Sequence, residues 1–102
     1  MHLNIKALGI ELTDAIRAAV EKKMESIENK TQRFGDGVRA EVEVSKTTHH
    51  HKSGPFFRAE IHVILPGKAV RAEATHDDLY VAIGQAKEEV ERQIIAYKEK
   101  KG

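Results

Sequence analysis

The stretch THDDLYVAIGQAKEEVERQIIAYKEK, Thr75 to Lys100, decides how the rest of the chain must fold. It carries no proline, and its apolar residues fall at Leu79, Ile83, Ala86, Val90, Ile94 and Tyr97. Steps of three and four keep those side chains on one face of a helix that turns about 100° per residue. Thr75, Asp77 and Asp78 offer side-chain oxygens and negative charge where the first N–H groups of a helix lack partners. Lys98, Lys100 and Lys101 offer positive charge where its last carbonyls are left over. The spacing predicts one long helix with a single apolar stripe, and such a stripe requires a sheet or a second helix to cover it.

The cover is readable upstream. Leu3, Ile5 and Ala7 alternate with His2, Asn4 and Lys6, a first strand with one buried face that Gly9 ends. Thr13 is placed to cap a helix, with Asp14 in its first turn. Ile16, Val20, Met24 and Ile27 then recur at helical spacing, and this first helix is expected to end near Arg33, before Gly35-Asp36-Gly37. Val38, Ala40, Val42 and Val44 alternate with polar residues as a second strand. Lys46 to Pro55 is a polar loop. Phe57, Ala59, Ile61, Val63 and Leu65 make a third strand, Pro66-Gly67 a tight turn, and Val70, Ala72 and Ala74 a fourth strand.

The order is βαβββα. Short links make strands two to four an antiparallel meander, whereas the helix between strands one and two makes that pair parallel. Each strand has one apolar face, so both helices lie on the same side of the sheet. The expected fold class is α+β: a two-layer sandwich of a four-stranded sheet and two helices, similar in outline to a double-stranded-RNA-binding domain. Arg39, Glu41, Glu43, Arg58, Glu60, Arg71 and Glu73 fall on the other face, where opposite charges can pair across a solvated surface.

A chain of 102 residues is expected to form one domain over 1–102, large enough for a single core without staples. It has no cysteine, which excludes disulfides and thiolate metal sites. The opening residues lack the apolar run of a signal peptide, and no stretch is long enough to span a bilayer, so a cytosolic protein is expected. The formal net charge is only +1, so any attraction for nucleic acid must come from segregation of charge rather than from excess.

The first helix segregates charge. Measured from Ile16 at about 100° per residue, Asp14, Glu21, Glu25 and Glu28 fall at roughly 120–180°. Lys22, Lys23, Lys30 and Arg33 fall at roughly 240–340°, with small neutral residues between them. A basic ridge of this kind can lie against a phosphate backbone, although salt-bridged surface helices also sort charge this way. Lys46 to Arg58, KTTHHHKSGPFFR, contains Lys46, Lys52, three histidines and no acid. It reads as a basic finger, with Phe57 in phase with the core and Phe56 exposed as a stacking surface. Protonation of His49, His50 and His51 would add charge to it, but adjacent histidines without an acidic or cysteine partner do not read as a metal site. In the last helix Lys87 and Lys98 border the apolar stripe, and Arg92 faces outward among glutamates. No nucleophile elbow, phosphate loop or zinc-protease motif is present, so neither catalysis nor a cofactor is expected.

Two blocks resemble the ribosome hibernation-promoting factor and ribosome-associated inhibitor family. One is Leu3-Asn4-Ile5 with Ile10-Glu11-Leu12-Thr13-Asp14-Ala15-Ile16-Arg17, Val20 and Lys22-Lys23. The other is Asp78-Leu79-Tyr80-Val81-Ala82-Ile83 with Glu91-Arg92-Gln93-Ile94 and Lys98. The resemblance implies the fold derived above and a ribosome-binding domain, monomeric when free and resembling the family's short form. It also implies that the domain occupies the small subunit near the decoding centre, grips ribosomal RNA phosphates with basic side chains and blocks translation. It points to Arg17, Lys22, Lys23, Arg92 and Lys98; Lys30, Arg33, Lys46, Lys52 and Lys87 join them from the charge pattern. The chain departs from the family pattern at Gly84, where Asp or Asn is usual, at Glu89, where Lys is usual, at Ala96 and in the histidine-rich loop. These departures shift the expected grip toward the first helix and the loop. A general double-stranded RNA-binding module is the alternative, because helices on one face of a small sheet can read A-form shape. A histidine-dependent metal protein and a protein–protein adaptor are the readings from other classes.

Overall fold

The alternating stretches become a four-stranded sheet in the order β1 (His2–Leu8), β2 (Arg39–Thr47), β3 (Phe56–Leu65), β4 (Lys68–His76). The computed structural model describes residues 1–47 and 56–101. β1 runs parallel to β2, and the other neighbours are antiparallel. The register aligns Ile5, Val42, Ile61 and Ala72 in one row across all four strands. That row lies on the apolar face, because successive side chains alternate between faces. Gly9, at φ +73°, ends β1, and Gly67, at φ +80°, takes the third position of the Pro66-Gly67 turn.

Two helices cover this face: α1 (Asp14–Lys30) and α2 (Leu79–Lys101). β4 points the same way as β1, so the helices that follow these strands start at the same end of the sheet and run back side by side. Val20, Met24 and Ile27 of α1 and Leu79, Ala82, Ile83, Ala86, Val90 and Ile94 of α2 are buried with Ala40, Val42, Val44, Ala59, Ile61 and Val63 in one cluster. Leu3, Ile5 and Ala7, on the edge strand, are only half-buried against it.

One end of each helix departs from the expected position. Thr13 caps α1 as read, accepting from Ile16 N–H at 3.1 Å. The helix stops at Lys30 rather than near Arg33. Thr31 turns its N–H back to the Ile27 and Glu28 carbonyls, and its hydroxyl also donates to Glu28 O, at 3.1 Å. Gln32–Gly37 then forms a 3-10 segment broken at Gly35, φ +81°. α2 starts at Leu79 rather than Thr75, because Thr75 and His76 remain in β4, opposite Arg58 and Phe57. Asp78 supplies the cap: its Oδ1 accepts from Tyr80 N–H at 2.9 Å and from Val81 N–H at 3.4 Å.

On the open face the register sets Glu43, Glu60 and Glu73 directly opposite one another on three strands. Such a row repels itself unless a cation intervenes. Arg58 is that cation, 3.8 Å from Glu43, 3.6 Å from Glu60 and 2.6 Å from Glu73. Its hydrogen bond to Glu73 holds that carboxyl below the usual carboxylate value. Arg71 pairs with Glu60 at 3.2 Å, and His62 lies 3.7 Å from Glu41. The charges of this face are therefore largely matched among themselves.

Candidate nucleic-acid interface

The two flanks of α1 face different neighbours, except that Glu25 of the acidic flank also reaches the basic side. On the acidic flank the Glu28 carboxylate lies 3.7 Å from the N-terminal ammonium of Met1. The basic flank turns toward α2. There Lys22 and Lys23 line a groove with Ala19, Glu25, Ser26 and Asn29 of α1 and Lys87 of α2. Lys22 and Lys23 are exposed and form no ion pair among the described residues. Gly84 of α2 lies next to one of them: a Cβ there would stand 3.8 Å from the Lys23 ammonium, an ordinary contact distance.

Beside the groove, Glu91 of α2 joins the helices. Its carboxylate accepts a short hydrogen bond from Ser26 Oγ and lies 3.4 Å from Lys30 Nζ and 3.3 Å from Lys87 Nζ. Burial pushes the Glu91 carboxyl up. The Ser26 and Lys87 hydrogen bonds and the charges of Lys87 and Lys30 outweigh it and hold the group below its ordinary value. Along this seam Lys22, Lys23, Lys30 and Lys87 outnumber the carboxylates of Glu25 and Glu91. Lysines gathered this way present ammonium groups to an anion at a spacing set by two packed helices.

The other expected contacts lie elsewhere. Arg17 is exposed, about 140° round α1 from Lys22, and does not line the groove. Arg92 is exposed, but its guanidinium is held by Glu89 through Nε at 3.1 Å and Nη2 at 2.5 Å. Glu89 thus occupies a neighbouring positive charge. Arg33 lies in the 3-10 segment beyond α1, so its place on the helical wheel does not hold. It stacks over Phe34 at 5.4 Å and donates to Lys98 O at 3.2 Å. Lys98 Nζ donates to Lys30 O at 3.0 Å. Lys46 is exposed at the far end of the sheet, where both helices begin. Phe57 is half-buried against the core as expected, whereas Phe56, read as exposed, is half-buried too. Lys52, His49, His50 and His51 lie outside the described residues. Among the described residues no cluster of three or more His, Cys, Asp or Glu could hold a metal, and no helix is long and apolar enough to cross a membrane.

Sequence reasoning missed the part played by Glu91 and Ser26. The only available signal was that an acid stood on the stripe-bordering side of α2, opposite a basic flank.

Two parallel helices on one face of a mixed sheet, with a lysine-rich seam between them, define an α+β module that presents a charged helical surface. Residues 3–102 match the family model described as sigma 54 modulation protein / S30EA ribosomal protein, and the chain belongs to that family. The ribosome hibernation promotion factor of Lactococcus lactis subsp. cremoris (strain MG1363) is 38% identical over 100 residues, covering 96% of this chain and 50% of that protein. The ribosome hibernation promoting factor of Azotobacter vinelandii is 34% identical, covering 98% of this chain and 85% of that protein. The chain thus spans about half the length of the Lactococcus relative. The crystal structure of the Thermus thermophilus Protein Y N-terminal domain matches with a TM-score of 0.77 at 35% identity, over 95% of this chain and 99% of that one. The resemblance read from the two sequence blocks is borne out at the level of family and fold.

Proposed function

We propose that this chain is a non-enzymatic, cytoplasmic ribosome-binding factor that holds idle ribosomes out of translation. In this reading it docks on the small subunit near the decoding centre and grips ribosomal RNA phosphates with Lys22, Lys23, Lys30 and Lys87. Arg17, Arg33, Lys46, Lys52, Arg92 and Lys98 are further candidates. One observation carries the reading beyond family membership: the α1 lysines without an acidic partner among the described residues, Lys22 and Lys23, sit in the interhelical groove rather than scattered over the surface. The open sheet face, by contrast, matches its charges internally. Phosphate contacts release counterions, so binding of this kind weakens steeply with salt.

The test is sedimentation of the full chain with purified small and large subunits at low and high salt, alongside a cell-free translation assay. Co-migration with small subunits at low salt, release at high salt and reduced translation are expected. Charge reversal of Lys22, Lys23 and Lys30 together should abolish all three. A triple variant that pellets like the parent removes the site assignment. Equal binding to free duplex RNA would point instead to a general double-stranded RNA binder.

A further inference from the structure

Glu91 is an acid placed where an RNA-binding surface should have none. A carboxylate near phosphates is repulsive, so counting charge alone predicts that its removal tightens binding. Its geometry points the other way. The Glu91 side chain is 14% exposed, less than Lys30 at 35% and Lys87 at 21%. It is therefore the most enclosed side chain of the three. Each ammonium has three donors. Glu91 engages Lys30 through Oε2 and Lys87 through Oε1, which leaves donors on both to turn outward. Ser26 fixes the carboxylate from α1, so one side chain sets the positions of cations from both helices. Without it, two like charges with long flexible stems would separate and lose their common orientation.

We propose that Glu91 is a positioning residue of the RNA-binding surface: it anchors Lys30 and Lys87, so that one ammonium from each helix is presented to the phosphate backbone. The inference rests on the ribosome-binding reading. It predicts that an uncharged Glu91→Gln chain binds RNA worse although its net charge is more positive.

Two measurements on the 102-residue chain test this. The first is the affinity for purified small subunits across a potassium chloride series, for the parent, Glu91→Gln, Glu91→Asp and Ser26→Ala. Glu91→Gln and Ser26→Ala are paired with the Lys30→Gln/Lys87→Gln background. Glu91→Gln should weaken binding about tenfold and flatten the slope of log affinity against log salt, by up to about 0.9 for each phosphate that is no longer neutralised. Glu91→Asp should recover part of the affinity, and in the double-lysine background Glu91→Gln should cost nothing further. A purely structural role would weaken binding equally in both backgrounds. The second measurement needs no ribosome: the rate of amine acylation at each lysine, read by mass spectrometry on the free protein. Glu91→Gln should raise the rates at Lys30 and Lys87 while leaving Lys22 unchanged. Should Glu91→Gln impair folding, Ser26→Ala carries the same test in a milder form, with smaller shifts of the same sign.

Binding by Glu91→Gln equal to or tighter than the parent, or unchanged lysine rates, overturns the role of Glu91 and leaves the ribosome reading standing. A parent chain that binds no subunits overturns the ribosome reading itself. The acylation rates would then still report whether Glu91 orders the two lysines.

Discussion

Lys98, near the end of α2, donates from its Nζ to the backbone carbonyl of Lys30, the last residue of α1, at 3.0 Å. That carbonyl is one of those a helix end leaves without a partner, at the negative end of the helix dipole. Arg33 makes the reverse contact, donating to the Lys98 carbonyl at 3.2 Å. The C-terminal ends of the two helices are thus tied together by exchanged cations, and Phe34 stacks on Tyr97 beside them, with ring centroids 5.9 Å apart. Lys98→Met, which keeps the stem and removes the donor, should cost about 1 kcal/mol. For a domain of this size that lowers the melting temperature by about 4–8 °C. A calorimetric scan of the pair checks it, and an unchanged midpoint contradicts the cap.

Gly84 lies inside α2, where glycine is about 1 kcal/mol less favourable than alanine. The added Cβ of Gly84→Ala would meet only Lys23 Nζ and Cε, at 3.8 and 4.0 Å, which is ordinary contact distance. The variant should therefore be more stable by about 0.5–1 kcal/mol in chemical denaturation. A drop in stability would mean that α2 packs more closely on α1 at this point than these distances allow.

Glu89 holds Arg92 through two hydrogen bonds and also accepts from Gln93 at 3.1 Å. Glu89→Lys releases the guanidinium and adds a second cation on the same turn. Exposed i,i+3 pairs contribute little to stability, so the melting temperature should barely move. Affinity for small subunits should rise, and its salt dependence should steepen by about 0.9 for each further phosphate neutralised. Unchanged affinity and salt slope would place this turn of α2 outside the contact surface.

Arg58 stands among Glu43, Glu60 and Glu73 on the open sheet face. Its hydrogen bond holds Glu73 below the usual 4.5, so the stabilisation it gives is present above that value and disappears as pH falls through the lowered one. Arg58→Met leaves Glu43 and Glu73 without that cation at neutral pH, with Glu60 still paired to Arg71, and protonation relieves the remaining repulsion. The stability gap between parent and variant should be widest at pH 7, smaller at pH 4, and should close only as pH falls through the lowered Glu73 value, read from urea denaturation across that range. A gap that is constant with pH would mean that Arg58 acts through packing alone.

Much of this molecule was legible from residue spacing. The alternation from Val38 to Val44 and from Phe57 to Leu65 set the strands, their faces and their neighbours, because a period of two admits few other arrangements. The element ends were less legible. Thr31 stops α1 through hydrogen bonds that depend on its own turn geometry, and Thr75 and His76 stay in β4 because β3 is long enough to pair with them. The charge-sorted flank of α1 was visible on a helical wheel. A wheel treats each helix alone, however, so it could not show that Lys30 and Lys87 meet at one carboxylate, or that Ser26 reaches Glu91 across the seam. Nor could it show that Arg92 and Lys98 are already engaged, by Glu89 and by the Lys30 carbonyl.

If Lys22 and Lys23, in the groove between α1 and α2, bind ribosomal RNA, they do so by displacing counterions. The most direct measurement of this is the slope of log affinity against log salt for purified small subunits, compared between the parent and Lys22→Gln/Lys23→Gln. A steep parental slope is expected, becoming shallower by about 0.9 for each lysine removed. A parental slope near zero, or the same steep slope in the double variant, would contradict the proposed grip.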